Sequence, residues 1–495
     1  MPRALTTQAG MLTASRALGQ VLNALVGFLI VRALTQYDYG TYRQVLLLYT
    51  TLYLIGDMAF AQSLYFFVPR EREKARAFLG QALVAVLALS AAWSAGIMLL
   101  AGPIAAFFGN PALAAHMALL SALLSLNLLT KIPEVGLVTL KRIGASSLNI
   151  TVFESLKFVM VVAVLKWHAS IDSILAAMIL ATALRMAALL VQMRDTAWFS
   201  LTPRLGEQFR YSMSLWLPGL LNNAGIYAHQ YIVGYYFNPE QYAIYAVACF
   251  QIPLIGVVTS SVNEVFLVRA TEFRSQERFD DLYRLYQNAC RKVLMILVPA
   301  AVAFAALSRP LIELLFTKRY LASAPLFVLI VLALPLSGLL QDGIFRACAA
   351  MRAYSLFYMM RVALALGLGV IGARWFGLWG AAVSPLLALL TLNIAQLHKV
   401  RELLRVSFAR VLPWKEMAKI SLASAAAALP AMACARLFSR AWMALGAGLV
   451  VFGIVYAALA LFLAVIHPEE RRAILDAVRA GFCRLGLMSE RTAQP

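Results

Sequence analysis

Residues 11–44 read MLTASRALGQVLNALVGFLIVRALTQYDYGTYRQ and indicate how the chain meets a membrane. The apolar run from Met11 to Leu34 can cross a hydrocarbon layer of about 30 Å, which takes about 20 helical residues. It nevertheless carries Arg16, Gln20 and Asn23 at spacings of three and four, so these polar residues share one helix face. An arginine at membrane depth is costly unless it faces a cavity or a partner. The stretch therefore predicts a polytopic membrane protein with a polar interior.

The corner that follows, residues 36–42, contains three tyrosines and neither lysine nor arginine. Tyrosine is enriched where helices leave the membrane, and outer connections are poor in basic residues. We therefore expect residues 36–42 to form a short interfacial turn on the outer side.

The composition places the whole chain among integral membrane proteins. Of its 495 residues, 62% are hydrophobic and only 13% are charged, and the mean hydropathy is +0.78. Soluble proteins are about half apolar and about a quarter charged. The net charge of +20 does not favour nucleic acid as a partner, because the basic residues lie in short connections between apolar runs. There they set the topology and meet anionic lipid.

Apolar runs long enough to span the membrane predict about fourteen transmembrane helices. The predicted spans are 11–34, 43–68, 78–101, 112–136, 147–166, 171–193, 211–236, 243–268, 289–308, 321–343, 354–373, 375–398, 416–436 and 441–466. Basic residues concentrate at both termini and after the even-numbered spans, as in Arg70, Arg72, Lys74 and Arg76. By the positive-inside rule both termini are cytoplasmic. The alternative is twelve spans, if the last two predicted spans, 416–436 and 441–466, do not cross the membrane.

An internal repeat organises these spans into two lobes. Tyr39-Gly40-Thr41-Tyr42 corresponds to Tyr242-Ala243-Ile244-Tyr245, and the same offset pairs Gln20 with Asn223. Six spans separate the copies, so both halves have the same orientation about an axis normal to the membrane. The predicted fold class is an all-α polytopic membrane protein with two six-helix lobes in parallel repeat and two additional helices. The predicted regions are 1–200, 201–410, 411–467 and a cytoplasmic amphipathic tail at 468–495.

Three stretches resemble Wzx-type polysaccharide flippases of the multidrug/oligosaccharidyl-lipid/polysaccharide exporter (MOP) superfamily. The opening, residues 14–44 and 52–70, has the elements that the family shows: Arg32-Ala33-Leu34, Tyr39–Tyr42 and Gly56-Asp57. Residues 217–248 are similar to the family's seventh and eighth helices. The aspartate that the family often has near His229 or Gln230 is missing, so no acidic coupling role is carried over to that position.

The resemblance implies two helical bundles around a central cationic cavity that opens alternately to each side. The implied cargo is an oligosaccharide on undecaprenyl pyrophosphate, moved from the cytoplasmic to the periplasmic leaflet of the bacterial inner membrane. Expected partners are membrane lipid, this lipid-linked glycan, a polysaccharide polymerase and the export machinery, with no nucleic acid and a monomeric state. No cofactor is expected beyond an H⁺ or Na⁺ gradient.

Four basic residues within the spans are candidates for holding the pyrophosphate: Arg16, Lys157, Arg185 and Arg361. A guanidinium group matches phosphate oxygens in a bidentate way. Two alternatives stand beside this reading. Glu154 and Lys157 are three residues apart on one helix and could neutralise each other, and Arg16 could reach the inner interface. Arg185 and Arg361 could also pair with acids on neighbouring helices.

Two further sets of polar residues complete the candidate site. The candidates for contact with sugar hydroxyls are Gln20, Asn23, Asn222, Asn223 and Gln230, for which hydrogen bonds between helices are the alternative. The candidates for coupling to an ion gradient are Asp57, Glu154 and Glu264, which could instead be permanent counter-ions.

Two other function classes compete with a flippase. A multidrug or cation antiporter of the same superfamily would need an acidic cavity, which the surplus of basic residues within the spans disfavours. A membrane glycan polymerase or glycosyltransferase would need a catalytic domain, and the predicted connections, all under about 25 residues, are too short for one. No Walker A, metal-ligand or nucleophile motif is present, so we expect no enzyme activity.

Overall fold

The computed structural model describes residues 2–194, 205–250 and 253–465, and every regular element within these ranges is helical. The all-α fold class is therefore confirmed. The helices are α1 (Pro2–Ala33), α2 (Gln36–Ile55), α3 (Phe60–Arg70), α4 (Ala75–Leu99), α5 (Ala101–Phe107), α6 (Met117–Thr139), α7 (Ile143–Trp167), α8 (Ile171–Gln192), α9 (Leu205–Tyr236), α10 (Pro239–Ala248), α11 (Pro253–Ser275), α12 (Phe279–Ala306), α13 (Ser308–Phe316), α14 (Ser323–Val331), α15 (Gln341–Ala347), α16 (Met351–Leu404), α17 (Phe408–Val411), α18 (Trp414–Arg436) and α19 (Ala441–Phe462). The predicted tail, 468–495, lies outside the described residues.

The count of fourteen membrane spans is not confirmed. Among the described residues, eleven helices are long and apolar enough to cross a membrane. One of them, the 54-residue α16, contains a break at Gly377 (φ 62°, ψ −147°), where the sequence predicts a boundary between two spans. The predicted seventh span is helical as α9 but is not among the eleven. Polar residues such as Asn222 and Asn223 lower its hydropathy.

The internal repeat is reproduced in the helix boundaries. Helix α9 ends at Tyr236, which lies 203 residues after Ala33, where α1 ends. The next helix of each copy begins with an equivalent side-chain cap. Thr35 accepts a hydrogen bond from Asp38 N before α2, and Asn238 accepts one from Gln241 N before α10. Such caps satisfy amide groups that the first turn leaves free.

The prediction of an interfacial turn at residues 36–42 is wrong, because these residues form the first two turns of α2. The Thr35 cap and the acidic Asp38 in the first turn stabilise a helix that begins at Gln36. Tyr39 and Tyr42 are each 3% exposed. These two tyrosines are therefore buried within the protein and not placed at a water interface.

The second span of the sequence is interrupted between α2 and α3. Met58 and Ala59 have left-handed backbone angles, with φ of 45° and 61°. A break of this kind frees backbone carbonyl groups in a region without water, where each unsatisfied group costs several kcal/mol. The break therefore needs hydrogen-bond donors from other helices.

Three side chains supply these donors. Lys131 Nζ donates to Tyr53 O at 2.6 Å. Trp216 Nε1 donates to Ile55 O at 2.8 Å, and Trp93 Nε1 donates to Gly56 O at 3.2 Å. The donors come from α6, α9 and α4, so the interruption of one helix fixes the positions of three others.

The described helices form two compact units. Unit 1 takes its residues from Met1–Val257, Leu315–Ile330 and Ala350–Ala395. Within it α1 packs on α7, α6 packs on α4 and α8, and α2 packs on α10. Unit 2 takes its residues from Val258–Leu314, Val331–Ala349 and Gln396–Pro495, and its helices α12, α18 and α19 pack together. The division into lobes at residue 200 stays a prediction.

Trp216→Phe tests the donors at the helix break. Phenylalanine keeps an aromatic ring but has no N–H, so Ile55 O keeps only the hydrogen bond from Met58 N. We therefore expect the free energy of unfolding to fall by about 0.5–1.5 kcal/mol. The measurement is thermal unfolding of the purified protein in detergent. Trp375→Phe is the matched control, because Trp375 is 76% exposed. Equal unfolding midpoints for the two variants would show that the tryptophan hydrogen bond does not support the break.

Candidate functional site

A charged network links α1, α6, α7 and α8 inside unit 1. Glu154 Oε2 lies 2.6 Å from Lys157 Nζ, and Glu154 Oε1 lies 3.8 Å from Arg185 Nη1. Arg185 Nη2 also pairs with Glu134 Oε2 at 2.9 Å. Asn23 Nδ2 donates to Glu154 Oε2 at 3.0 Å. Two candidate pyrophosphate ligands, Lys157 and Arg185, are thus ion-paired, and one candidate coupling acid, Glu154, lies between them.

A second ion pair lies at the break of the second span. Asp57 Oδ1 is 3.1 Å from Lys131 Nζ, and the Asp57 side chain is 4% exposed. Asp57 Oδ2 also accepts a hydrogen bond from Ala61 N at 3.3 Å, which satisfies an amide at the start of α3. The Lys131 ammonium lies 3.9 Å from the centroid of the Tyr53 ring. Asp57 is therefore a counter-ion and a helix cap in this structure.

The charged network and the Asp57–Lys131 ion pair together contain equal numbers of basic and acidic side chains. The basic members are Lys131, Lys157 and Arg185, and the acidic members are Asp57, Glu134 and Glu154. Because each basic group has an acidic partner, this part of unit 1 is a neutral polar framework and adds no net positive charge.

Arg361 lies in a different environment, on α16 against α9. Its Nη1 donates to Asn222 Oδ1 at 3.3 Å. The aliphatic stem of Arg361 packs against Gly225, where an added Cβ would be 3.1 Å from Arg361 Cγ. Asn223 is the next residue along α9 and is half-buried. The structure thus brings one predicted pyrophosphate ligand into contact with one predicted sugar ligand.

The remaining predicted residues are more dispersed. Arg16 and Gln20 are exposed on α1, and Glu264 is exposed on α11. Within the part of the chain that the structure describes, Arg16 and Glu264 form no ion pair. Gln230 lines a pocket in unit 1, two turns along α9 from Asn222 and Asn223.

The two repeat copies touch each other where α2 and α10 begin. A Cβ atom at Gly40 would overlap the carbonyl oxygen of Pro239, so the two backbones approach as closely as glycine allows. Gln36 Nε2 donates to Glu240 O at 3.3 Å. We call this region, formed by Gln36 and Gly40 of α2 with Pro239 and Glu240 of α10, the corner contact.

Asn110 supports the corner contact from the connection before α6. Its Nδ2 donates to Gln44 Oε1 at 2.7 Å and to Thr41 Oγ1 at 2.9 Å, and its Oδ1 accepts from Tyr37 Oη at 3.0 Å. One fully buried amide therefore joins three side chains of α2. These bonds fix the α2 backbone beside α10.

A pocket of about 240 Å³ follows the corner contact along α2. It is lined by Tyr39, Arg43, Leu46, Leu47, Thr50, Tyr227, Gln230, Ala246, Cys249, Phe250 and Phe316. Arg43 is the one charged residue in this lining. The sequence analysis missed Arg43, because it placed the start of the second span at residue 43. The cap signal of Thr35 with Asp38 would have begun the helix earlier and placed Arg43 two turns inside it.

These features define a class of protein: a multi-pass, all-α membrane protein with charged groups held inside its helical bundle. Solved structures of transporters share its fold. The lipid II flippase MurJ, in an inward closed conformation, matches with a TM-score of 0.71 and 15% identity, over 93% of this chain and 100% of that chain. An inward-facing multidrug resistance MATE transporter of the MOP superfamily matches with a TM-score of 0.65 and 13% identity, over 79% of this chain and 96% of that chain. A MOP superfamily transporter from Pyrococcus furiosus matches with a TM-score of 0.56 and 14% identity, over 80% of this chain and 94% of that chain.

The chain belongs to the polysaccharide biosynthesis protein family, whose sequence model matches residues 29–325. The resemblance found in the sequence is therefore confirmed at the level of the family, and the fold is that of MOP superfamily flippases and transporters. No curated protein sequence matches the chain significantly.

Lys131→Met tests the buried ion pair at the helix break. The substitution leaves the Asp57 carboxylate buried without its counter-ion, so we expect the free energy of unfolding to fall by about 3–5 kcal/mol. Adding Asp57→Asn should restore part of this loss, because the uncompensated charge is removed. Thermal unfolding in detergent measures both variants. As a control, Lys399→Met in the exposed pair of Lys399 with Glu402 should have no measurable effect. A double variant less stable than Lys131→Met would refute the pairing.

Gly40→Ala tests the corner contact. The new methyl group forces α2 and α10 apart, and overpacking of this kind costs about 1–3 kcal/mol. Gly27→Ala is the matched control, because no atom lies within 4 Å of its added Cβ. Alanine is favoured over glycine inside a helix by about 0.5–1 kcal/mol, so the control should be neutral or stabilising. Thermal unfolding distinguishes the two variants, and similar losses in both would rule out a close backbone contact at Gly40.

Proposed function

We propose that this protein is a flippase for undecaprenyl-pyrophosphate-linked oligosaccharide repeat units. It moves them from the cytoplasmic to the periplasmic leaflet of the bacterial inner membrane by alternating access. Membership of the polysaccharide biosynthesis protein family and the MurJ-like fold support this proposal. The observation that carries it is the contact of Arg361 with Asn222 within unit 1, because it joins a phosphate-binding group to a sugar-binding group.

The charge of the pyrophosphate sets the main requirement for such a protein. A diphosphate that leaves water for a low-dielectric region needs fixed positive groups beside its path. Arg361, with its fork of donors, fits this role, and the exposed Arg16 is a second candidate. Lys157 and Arg185 are candidates as well, but a phosphate would have to displace Glu154 or Glu134 from them. Arg361, which contacts Asn222, and Arg16, which is exposed on α1, are the first residues to test.

The amides of α9 suit the sugar portion. Asn222, Asn223 and Gln230 lie within about 12 Å along one helix, at 1.5 Å per residue. Each amide both donates and accepts hydrogen bonds, as a sugar hydroxyl does. On α1, Asn23 is occupied by Glu154 and by Gly19 O, whereas Gln20 is exposed. Gln20 is thus the better sugar candidate of that pair.

Orientation, coupling and partners complete the proposal. The basic connections support cytoplasmic termini, which places the corner contact on the periplasmic side. Coupling to an H⁺ or Na⁺ gradient would use Glu264 in preference to Asp57 and Glu154, because these two are ion-paired. We further propose that the protein works as a monomer beside a polysaccharide polymerase and the export machinery.

The competing function, export of a cationic drug in exchange for an ion, is less well supported by the charge pattern. A cation site needs an acidic group whose charge is available to the cargo. In unit 1 the acidic residues Asp57, Glu134 and Glu154 each have a basic partner. These three carboxylates are therefore engaged and not available to a cationic cargo.

Arg361→Ala tests the proposed pyrophosphate ligand. In cells that lack the chromosomal gene, we expect a plasmid-borne Arg361→Ala variant to restore at most about one-tenth of the glycan export of the unaltered protein. That loss corresponds to one hydrogen bond to a charged group. Arg361→Lys should restore more, because the charge remains while the bidentate fork is lost. The measurement is carrier-linked glycan that accumulates on the cytoplasmic side, at equal membrane abundance.

Arg374→Ala is the matched control, since Arg374 is exposed on the same helix, α16. It should support normal export. Normal export from an Arg16→Ala, Arg361→Ala double variant would defeat the proposal that these two arginines hold the pyrophosphate.

A further inference from the structure

The pocket beside the corner contact contains a basic group, Arg43, that has no acidic partner among the described residues. Arg43 projects from α2, and its Nε is buried without a hydrogen-bond acceptor. Its interactions with its neighbours involve the hydroxyl groups of Tyr39, Tyr42 and Tyr242 and the thiol of Cys249. No carboxylate among the described residues pairs with it. In this respect Arg43 differs from Lys131, Lys157 and Arg185.

The rest of the lining supplies hydrogen-bond donors and no negative charge. Gln230, Thr50 and Tyr227 contribute an amide and two hydroxyl groups. The hydroxyl of Tyr242, close enough to Arg43 to interact electrostatically, is also buried without a partner. A buried donor without an acceptor costs about 1–3 kcal/mol, and more when it is charged. The lining therefore favours an occupant that is anionic and rich in acceptors.

The size of the pocket limits that occupant. A volume of about 240 Å³ equals roughly eight water molecules at about 30 Å³ each. That is enough for a phosphate or diphosphate group, but not for an oligosaccharide. Phe250 and Phe316 line one side, and Phe28 packs against both of them, with ring centroids 5.4–5.5 Å apart. Burial of the Arg43 Nε beside apolar rings lowers the local dielectric, which strengthens the attraction between a guanidinium and an anion.

We propose that the pocket around Arg43 is a second phosphate-binding site, which receives the diphosphate group of the cargo after Arg361. This inference rests on the proposed function for the source of the diphosphate. Helix α9 connects the two positions, because Asn222 contacts Arg361 and Gln230 lines the Arg43 pocket two turns further along. The corner contact then separates the occupied pocket from the end of the bundle where α2 and α10 begin.

The test measures binding of inorganic pyrophosphate to the purified full-length protein in lipid nanodiscs by calorimetry. Arg43→Gln should weaken binding at least about tenfold, because a hydrogen bond from a charged group is lost. Arg43→Lys should weaken it about two- to fivefold, because the charge remains. Arg309→Gln removes the same charge from an exposed residue that does not line the pocket, and should leave the affinity unchanged.

A second probe, farnesyl diphosphate, distinguishes a lipid-linked diphosphate from free phosphate as the source. Binding of farnesyl diphosphate that weakens with Arg43→Gln supports a lipid-linked cargo at this site. Binding of inorganic pyrophosphate alone would overturn the proposed order of transfer from Arg361. Unchanged pyrophosphate affinity in Arg43→Gln, or no binding to the unaltered protein, would overturn the site itself.

If Arg43→Gln does not fold, a second variant that retains Arg43 can still test the site. Gln230→Leu removes one donor from the lining and should weaken pyrophosphate binding about three- to tenfold. An unchanged affinity would count against the site. The proposed function is tested separately. If the unaltered protein fails to restore glycan export while its pyrophosphate binding still depends on Arg43, the flippase proposal fails and the anion site stands.

Discussion

The interrupted second span imposes the constraint on which much of unit 1 depends. In a membrane, the carbonyl groups freed between α2 and α3 have no water to accept hydrogen bonds from, so other helices must supply the donors. Lys131, Trp93 and Trp216 do so, and each is thereby held in one position. Lys131 brings Asp57 with it as a counter-ion, and Asp57 in turn caps α3. The ion pair and the backbone break therefore stabilise each other.

The charged residues of unit 1 separate into two kinds with different consequences. Lys157 and Arg185 share Glu154, and Arg185 also pairs with Glu134. These two basic and two acidic groups hold α6, α7 and α8 together without net charge. Arg43 has no carboxylate partner among the described residues, and its electrostatic neighbours are tyrosine hydroxyl groups and the Cys249 thiol. A guanidinium near neutral donors retains its attraction for an anion, whereas one paired with a carboxylate has lost most of it. Selectivity for an anionic cargo then depends on a few groups in an otherwise neutral framework.

The repeat explains how similar backbones carry different chemistry. Helices α1 and α9 end at equivalent positions and are followed by equivalent caps, yet their polar residues have diverged. The Asn23 amide of the first copy is bound to Glu154, whereas Asn222 of the second copy contacts Arg361. Arg43 of α2 corresponds to Ala246 of α10, so the pocket has a basic group on one side only. Divergence of side chains on a repeated scaffold makes the binding path asymmetric.

Local properties of the sequence determined the class of protein. Hydropathy summed along a run of residues, the offset of the repeat and the family motifs all predicted an all-α membrane protein of the polysaccharide exporters. These three signals could be read from the sequence because each depends on residues that are close together in the chain or separated by a fixed spacing. The one local error, the turn predicted at residues 36–42, came from reading the tyrosines as interfacial and overlooking the Thr35 cap.

Only the tertiary structure decided which charges are paired. Sequence reasoning offered Glu154 as a possible partner of Lys157, left the partners of Arg185 and Asp57 open, and missed Arg43. Asp57 meets Lys131 across 74 residues, and Arg361 meets Asn222 across 139. A Coulomb interaction depends on the distance between two groups in space and on the dielectric around them. Neither quantity can be read from the order of residues in the sequence. A basic residue within a span therefore has its role set by the helix packed against it.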